Sequence, residues 1–280
     1  MTDIQVEILK IFREFKRICD KFNLRYFAIG GTCIGAIRHN GFIPWDDDLD
    51  VAMPWDDYTK FRNIAPTELN APFELYDYKD YKQCELRFLK LHNEKTAFIE
   101  EAHKRNYDRF TGVFMDIMPI VGFPDNEALQ SRLVRKCAWY HKLDVACRFD
   151  IKNKPTFKSK VFSIIVRPLT AGKPYDYFSL IYENLVEKNK FGETKNVLIV
   201  WNFPNKNYRG IYPYELFSES IEVPFESTTI RVPKGYDTYL KMEFGNYMEL
   251  PPENERYGSH VASVIDFNKS YKEYQNKSVD

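Results

Sequence analysis

A mixed α/β fold, an α+β arrangement with helices flanking a sheet, is what this 280-residue sequence predicts. Three observations carry the expectation. An amphipathic helix opens the chain. Short apolar runs bounded by glycine or proline follow it, as strands do. Two of those runs contain carboxylates, which are costly to bury unless something offsets their charge.

Ile4, Ile8, Ile11, Phe12, Phe15, Ile18, Cys19 and Phe22 recur at helical spacing, so a helix is expected from an Asp3 N-cap to about Asn23. Residues 24–29 read as a strand that stops at a Gly30-Gly31 turn, with Thr32 opening a short helix closed by Asn40-Gly41. In FIPWDDDLDVAMP, strand alternation puts Asp48, Asp50 and Ala52 on one face and Leu49, Val51 and Met53 on the other. Pro54 then introduces a helix over 55–63. Further strands are expected over 73–78, 86–91 and 113–118, the last carrying Asp116 and ending at Pro119.

A long helix is expected over 126–148, a helix over 175–191, a strand over 197–201, a hairpin within 221–232 and a helix over 236–244. The polar tail from Asn254 onward reads as partly disordered. A catalytic core over 1–150 and a mainly helical extension over 151–280, which completes the core and the substrate site, is the expected division.

Forty basic and forty acidic residues give zero net charge, which argues against a nucleic-acid partner. Five scattered cysteines without a CxxC pair suit a reducing compartment, and the five histidines show no zinc spacing. Neither a secretory leader nor an apolar run of membrane-spanning length is legible, so a cytoplasmic protein is expected. Residues 157–173 mix Lys158, Lys160, Arg167 and Lys173 with apolar side chains. Loose docking on an anionic inner membrane is one reading, and an ordinary amphipathic helix packed within the fold is the plainer one.

The chemistry concentrates in Asp46-Asp47-Asp48-Leu49-Asp50. Four carboxylates this close repel one another unless a cation offsets them. Asp48 and Asp50, two apart on a strand, point the same way and suit a hard divalent ion such as Mg²⁺. Asp46 and Asp47 suit an acidic surface turn equally well and take supporting roles. Asp116 interrupts GVFMDIMPIVGF and is the candidate third carboxylate, from a neighbouring strand. Gly30-Gly31-Thr32, leading into a helix, would offer backbone N–H groups to a phosphate.

The segments GGTCIGAIRHNGFIPWDDDLDVAMPWDDYTKF, VFMDIMPIVGFP and YDTYLKMEFGNYMELPPENER together resemble the LicD family of the nucleotidyltransferase superfamily, related to fukutin-type transferases. The resemblance implies a nucleotidyltransferase-like mixed sheet. It implies that Asp48, Asp50 and Asp116 are the metal-binding and catalytic carboxylates, holding Mg²⁺ or Mn²⁺. It assigns Gly30, Gly31 and Thr32 to the phosphate-cradling turn, and makes Arg38, His39, Lys90 and Arg256 candidate substrate or phosphate contacts. For Lys90 the alternative is a solvated strand face, and for His39 a helix-end role. Asn246 stands where an acidic residue is common, and Gly258-Ser259-His260 where a histidine pair often stands.

The implied reaction moves a phospho-alcohol, phosphocholine foremost, from a CDP-alcohol such as CDP-choline to a sugar hydroxyl, releasing CMP. The acceptor would be a cell-surface glycan (capsule, teichoic acid or lipopolysaccharide) or its lipid-linked precursor. Trp45, Trp55 and Trp201 are candidates to cage a quaternary ammonium, with core or rim packing the plainer reading. The rival readings are a nucleotide-sugar glycosyltransferase using the DLD motif and a non-catalytic nucleotide- or glycan-binding module.

Overall fold

The computed structural model describes residues 1–81, 84, 86–104, 106, 109–148, 156–174, 176–200, 210–258 and 260–275. Helix α1 (Asp3–Phe22) buries Ile8, Ile11, Phe12, Phe15 and Ile18 completely. Its N-cap is Thr2, one residue earlier than predicted, because the Thr2 hydroxyl and the Gln5 side chain close a capping box that Asp3 would not form. Asn23, in the left-handed conformation, ends it.

Strand β1 (Phe27–Ala28) is shorter than predicted. Helix α2 (Gly30–His39) begins at the glycine pair itself, and no separate turn precedes it. Then come β2 (Asp50–Pro54), α3 (Trp55–Glu68), β3 (Phe73–Tyr76), β4 (Leu89–Asn93), β5 (Ala97–Glu100), β6 (Phe114–Phe123) and α4 (Glu127–Arg148). The second half holds α5 (Phe157–Val166), α6 (Tyr177–Val186), β7 (Asn196–Ile199), β8 (Ile211–Pro213), the hairpin β9 (Ser220–Phe225) and β10 (Thr228–Pro233), α7 (Tyr236–Phe244) and β11 (Ala262–Asp266). That half is therefore mixed, not mainly helical: its strands β7 and β8 extend the sheet of the first half.

The main sheet runs β1-β2-β6-β4-β3, with β7 and β8 attached along β6. Only β2 and β6 pair in parallel; the other described pairings are antiparallel. The sequence predicted that Pro119 ends β6, but the strand continues to Phe123. On its β4 side, pairing reaches Ile117, and pairing with β7 starts at Ile120. Pro119 stands in the gap between those partners, where the N–H it lacks is not needed. Its carbonyl still accepts from the Val200 N–H at 2.9 Å.

The tail is also more ordered than predicted. β11 pairs antiparallel with β5, and Tyr271 is buried with Ile99 and Phe110. Alternating Val264 and Tyr271 contacts, spread through a polar segment, supply too little local pattern to announce a strand.

His92 on β4 is buried, accepts from the Gly112 N–H at its Nδ1 (3.3 Å), and meets the Tyr271 ring edge-on. Burial first, then the positive charge of Lys272, holds its pKa down to about 3. The unfolded chain, with a histidine near 6.5, therefore binds more protons than the folded one between those values. The stability this site contributes is present above about pH 6.5 and lost as pH falls toward about 3. His92→Asn keeps an acceptor for Gly112 but does not titrate. Its thermal midpoint is expected to fall less than that of the wild type between about pH 7 and about pH 4, as followed by circular dichroism.

Candidate active site

Parallel pairing of β2 with β6 sets Asp50 opposite Asp116, and antiparallel pairing of β4 with β6 sets Lys90 opposite Asp116 on the other side. Residues in register share a sheet face, so the three form one row across three strands. All three are buried. Lys90 Nζ lies 2.8 Å from Asp116 Oδ1 and over the Phe114 ring. The reading of Lys90 as a solvated strand-face residue is thus overturned: the sheet centre buries it, and Asp116 offsets its charge.

Asp48 does not lie on the strand as predicted. β2 begins at Asp50, and Asp48 sits in the extended segment before it, where the chain turns toward the tail. There His260 Nε2 lies 3.3 Å from Asp48 Oδ2, and its Nδ1 lies 3.0 Å from Glu100 Oε1. The His260 backbone N–H reaches Asp47 Oδ2 at 3.2 Å. A Cβ on Gly258 would stand 2.2 Å from Asp47 Oδ2, so a larger residue there would push the Asp47 carboxylate aside.

Burial alone would lower the His260 pKa, but hydrogen bonds to Asp48 and Glu100 reverse it and raise it to about 10. Burial would raise the Glu100 pKa, and His260, Lys90 and Arg109 instead bring it to about 2. His260 thus stands between two carboxylates, both of which favour its charged form. None of His260, Glu100 and Asp47 was predicted as a site residue. The available signals were the GSH triplet in the tail and the carboxylate closing the apolar run AFIE.

The acidic segment is held from several sides. Gln5 Nε2 donates to the carbonyls of Ile43 and Asp46 at 3.0 and 2.9 Å. The Thr32 hydroxyl accepts from the Asp50 N–H at 2.8 Å, and the Asp116 N–H donates to the Leu49 carbonyl at 2.9 Å. The Asp46 carboxylate packs on Gly31, where a Cβ would approach its Oδ2 to 2.8 Å. Burial, then Asp48, pushes the Asp46 pKa up to about 8. Burial followed by Asp48, Asp116 and Asp46 drives Asp50 well above the usual carboxylate range. Burial also raises Asp116, against the pull of Lys90.

These residues fit a hard divalent cation. Buried carboxylates raise one another's pKa values, and Asp116 Oδ1 receives no aligned hydrogen bond although Lys90 stands beside it. The donors are carboxylate oxygens, as Mg²⁺ and Mn²⁺ prefer. Among the described residues, the set of three whose ligand atoms all lie within 4.8 Å of one another is Asp47, Asp48 and His260. The predicted triad Asp48, Asp50 and Asp116 is not among the sets that close to that distance, and Asp48 instead has His260 beside it.

The glycine turn is only partly available to an anion. Gly30 N–H donates to the Tyr239 hydroxyl at 2.9 Å, and the Thr32 hydroxyl is engaged by Asp50. Helix α2 has no side-chain N-cap, and the Gly31 and Thr32 N–H groups have no hydrogen bond among the described residues. Arg38 and His39 stand at the other end of α2, roughly 12 Å along its axis. Arg38 Nη1 donates to the Tyr247 and Glu249 carbonyls at 2.5 and 3.2 Å, and its Nε donates to His39 Nε2 at 3.0 Å. Burial, then Arg38, lowers the His39 pKa.

Arg256 donates to the Pro251 carbonyl at 2.9 Å and lies over the Trp45 ring. That ring and Arg38 line a cleft of about 440 Å³ with Phe244 and Tyr247. Trp55 is buried against Tyr58 and lines no cage. Trp201 and Ser259 lie outside the described residues.

Replacing Thr32 with Val removes the acceptor for the buried Asp50 N–H. The change is expected to cost about 1–3 kcal/mol of stability, measured by urea unfolding.

Residues 23–128 match the nucleotidyltransferase domain of LicD/FKTN/FKRP. The lipopolysaccharide cholinephosphotransferase LicD of Haemophilus influenzae is 27% identical over 265 residues, covering 93% of this chain and 96% of that protein. An uncharacterised protein of Rickettsia typhi is 25% identical over 196 residues, covering 69% of this chain and 57% of that one. A second uncharacterised protein, from Rickettsia prowazekii, is 29% identical over 97 residues, covering 34% of this chain and 36% of its own. The matched domain spans β1 through β6 and so contains the Asp50–Asp116–Lys90 row. Residues 23–128 thus carry a segment similar to the LicD-family nucleotidyltransferase domain, and the similarity to the Haemophilus LicD protein runs through most of the rest of the chain.

Proposed function

We propose that this protein transfers phosphocholine, or a related phospho-alcohol, from a CDP-activated donor to a sugar hydroxyl, releasing CMP. The acceptor is a cell-surface glycan such as lipopolysaccharide, or its lipid-linked precursor, met at the inner face of the membrane. The observation that carries the reading is the buried row of Asp50, Asp116 and Lys90 across three paired strands. The Haemophilus relative, named for cholinephosphate transfer to lipopolysaccharide, aligns over almost its whole length and supports the choice of substrate.

Asp48, Asp50 and Asp116 would hold Mg²⁺ or Mn²⁺. When bound, such an ion neutralises diphosphate oxygens and polarises the reacting phosphorus. The chain's own residues do the rest. The Gly31 and Thr32 N–H groups at the start of α2 face anionic oxygen. Lys90 holds the Asp116 carboxylate in place and adds positive charge beside the transferred group. His260 orients Asp48 from outside the sheet. Asp116 takes the proton of the acceptor hydroxyl as its oxygen bonds to the phosphorus that bears the alcohol. The bond from that phosphorus to the bridging oxygen breaks, and its electron pair leaves with CMP.

Incubation with a panel of CDP-alcohols and Mg²⁺, with CMP release followed by chromatography, tests the reaction. Asp48→Asn and Asp50→Asn are each expected to lower turnover by at least ~100-fold while the circular dichroism spectrum is retained. Wild-type turnover in either variant, or product masses that show a transferred sugar, would remove this reading.

A further inference from the structure

The outward face of α5 is apolar, the reverse of an ordinary surface helix. Phe157, Ile164 and Ile165 are 81%, 59% and 65% exposed, and Val161 joins them on the same stripe. Ser163 and Val166 face inward instead. The plainer expectation, an amphipathic helix with its apolar face packed into the fold, is therefore inverted here. Next to α5, Trp139 of α4 is 51% exposed and meets the Phe162 ring edge-on, with Lys142 over the same ring.

The charge on α5 and the segment after it has one sign. Residues 156–174 carry Lys158, Lys160, Arg167 and Lys173 and no acidic residue, although the whole chain has zero net charge. On α4, Arg132, Arg135, Lys136 and Lys142 are exposed against one exposed acid, Glu127 at the helix start, and Asp144 is buried against Arg87. A cleft of about 410 Å³ between α4 and α5 is rimmed by Lys142 and Lys158. The platform is held firmly from below. Asp144 pairs with Arg87 and accepts from the Ser179 hydroxyl on α6, and Leu143, Val166 and Phe178 form a small core of their own.

We propose that α5 and the adjoining stripe of α4 form a docking surface for an anionic lipid bilayer, with Phe157, Ile164 and Ile165 entering the headgroup–acyl boundary and the flanking lysines on lipid phosphates. The complementarity is twofold. Exposed apolar side chains gain by leaving water, and a ring of cations gains from a negative surface potential. A soluble protein partner would be matched by the apolar stripe, yet the excess of cations over anions on this surface, with no acidic residue in 156–174, favours a surface of uniform negative charge. No helix among the described residues is long and apolar enough to cross a membrane, so this contact is peripheral. The inference does not depend on the reaction proposed above.

The full-length chain is sedimented with vesicles of phosphatidylcholine alone or with added phosphatidylglycerol, at low and high salt. Binding to the anionic vesicles is expected, weakening as salt screens the lysines. The variant Phe157→Ser/Ile164→Ser/Ile165→Ser is expected to lose at least ~10-fold in partitioning. Lys158→Glu/Lys173→Glu, which alters only exposed charge, is expected to lose the preference for phosphatidylglycerol and keeps the test decisive if the triple variant misfolds. Turnover of a water-soluble donor should be unchanged in both. Failure of the wild type to bind anionic vesicles at low salt, or unchanged binding by the variants, overturns the proposal. A wild-type dimer that the triple variant disperses, with no vesicle binding, would assign the patch to a second copy of the chain instead.

Discussion

The parallel pairing of β2 with β6 is the constraint on which the rest of the site depends. It sets Asp50 and Asp116 side by side in a buried row, an arrangement that electrostatics opposes and only the hydrogen-bonded ladder enforces. Much of the surrounding chain serves to keep this row in place. Thr32 anchors the first residue of β2, Gln5 of α1 grips the loop before it, and Lys90 sets a positive charge against the second carboxylate. The tail supplies a second cation from the opposite side through His260. The protein thus brings two of its own cations to a cluster of buried acids, and their partial compensation leaves a centre suited to a further positive charge.

The carboxylates were legible because they break a pattern: an aspartate inside an apolar strand is conspicuous in any sequence. Strand alternation placed Asp50 on a strand, as found, but it extended that strand too far and placed Asp48 on it as well. Pro119 misled for a related reason. A proline normally ends pairing, and nothing local shows that β6 changes partners at that residue. His260 and Glu100 come together across 160 residues of chain, through a two-stranded pairing whose apolar positions are sparse. Sequence periodicity reports local contacts and is blind to such distant ones.

The glycine pair gives an intermediate case. Its association with a helix start was legible, and so was the direction of its N–H groups. That Tyr239 would take up the Gly30 N–H was not, because α7 lies 209 residues away. A composition argument also has a limit here. Zero net charge describes the whole chain, while the α4–α5 surface is locally basic and the loop before β2 is locally acidic. Cancellation in the total conceals two regions of opposite character.

The break at Pro119 has a mechanical consequence. Along one edge of β6, the half bearing Asp116 is paired to β4, and the other half to β7, with a residue between them that ties to neither through its own nitrogen. The two halves of that edge are in this sense separate attachment points. The hydrogen bonds that align Asp50, Asp116 and Lys90 belong to the β2 and β4 pairings alone, so strain on the β7 attachment does not pass directly through them. The matched domain ends near the start of α4, beyond β6 and before β7, so the strand with two attachment points is the last one inside it.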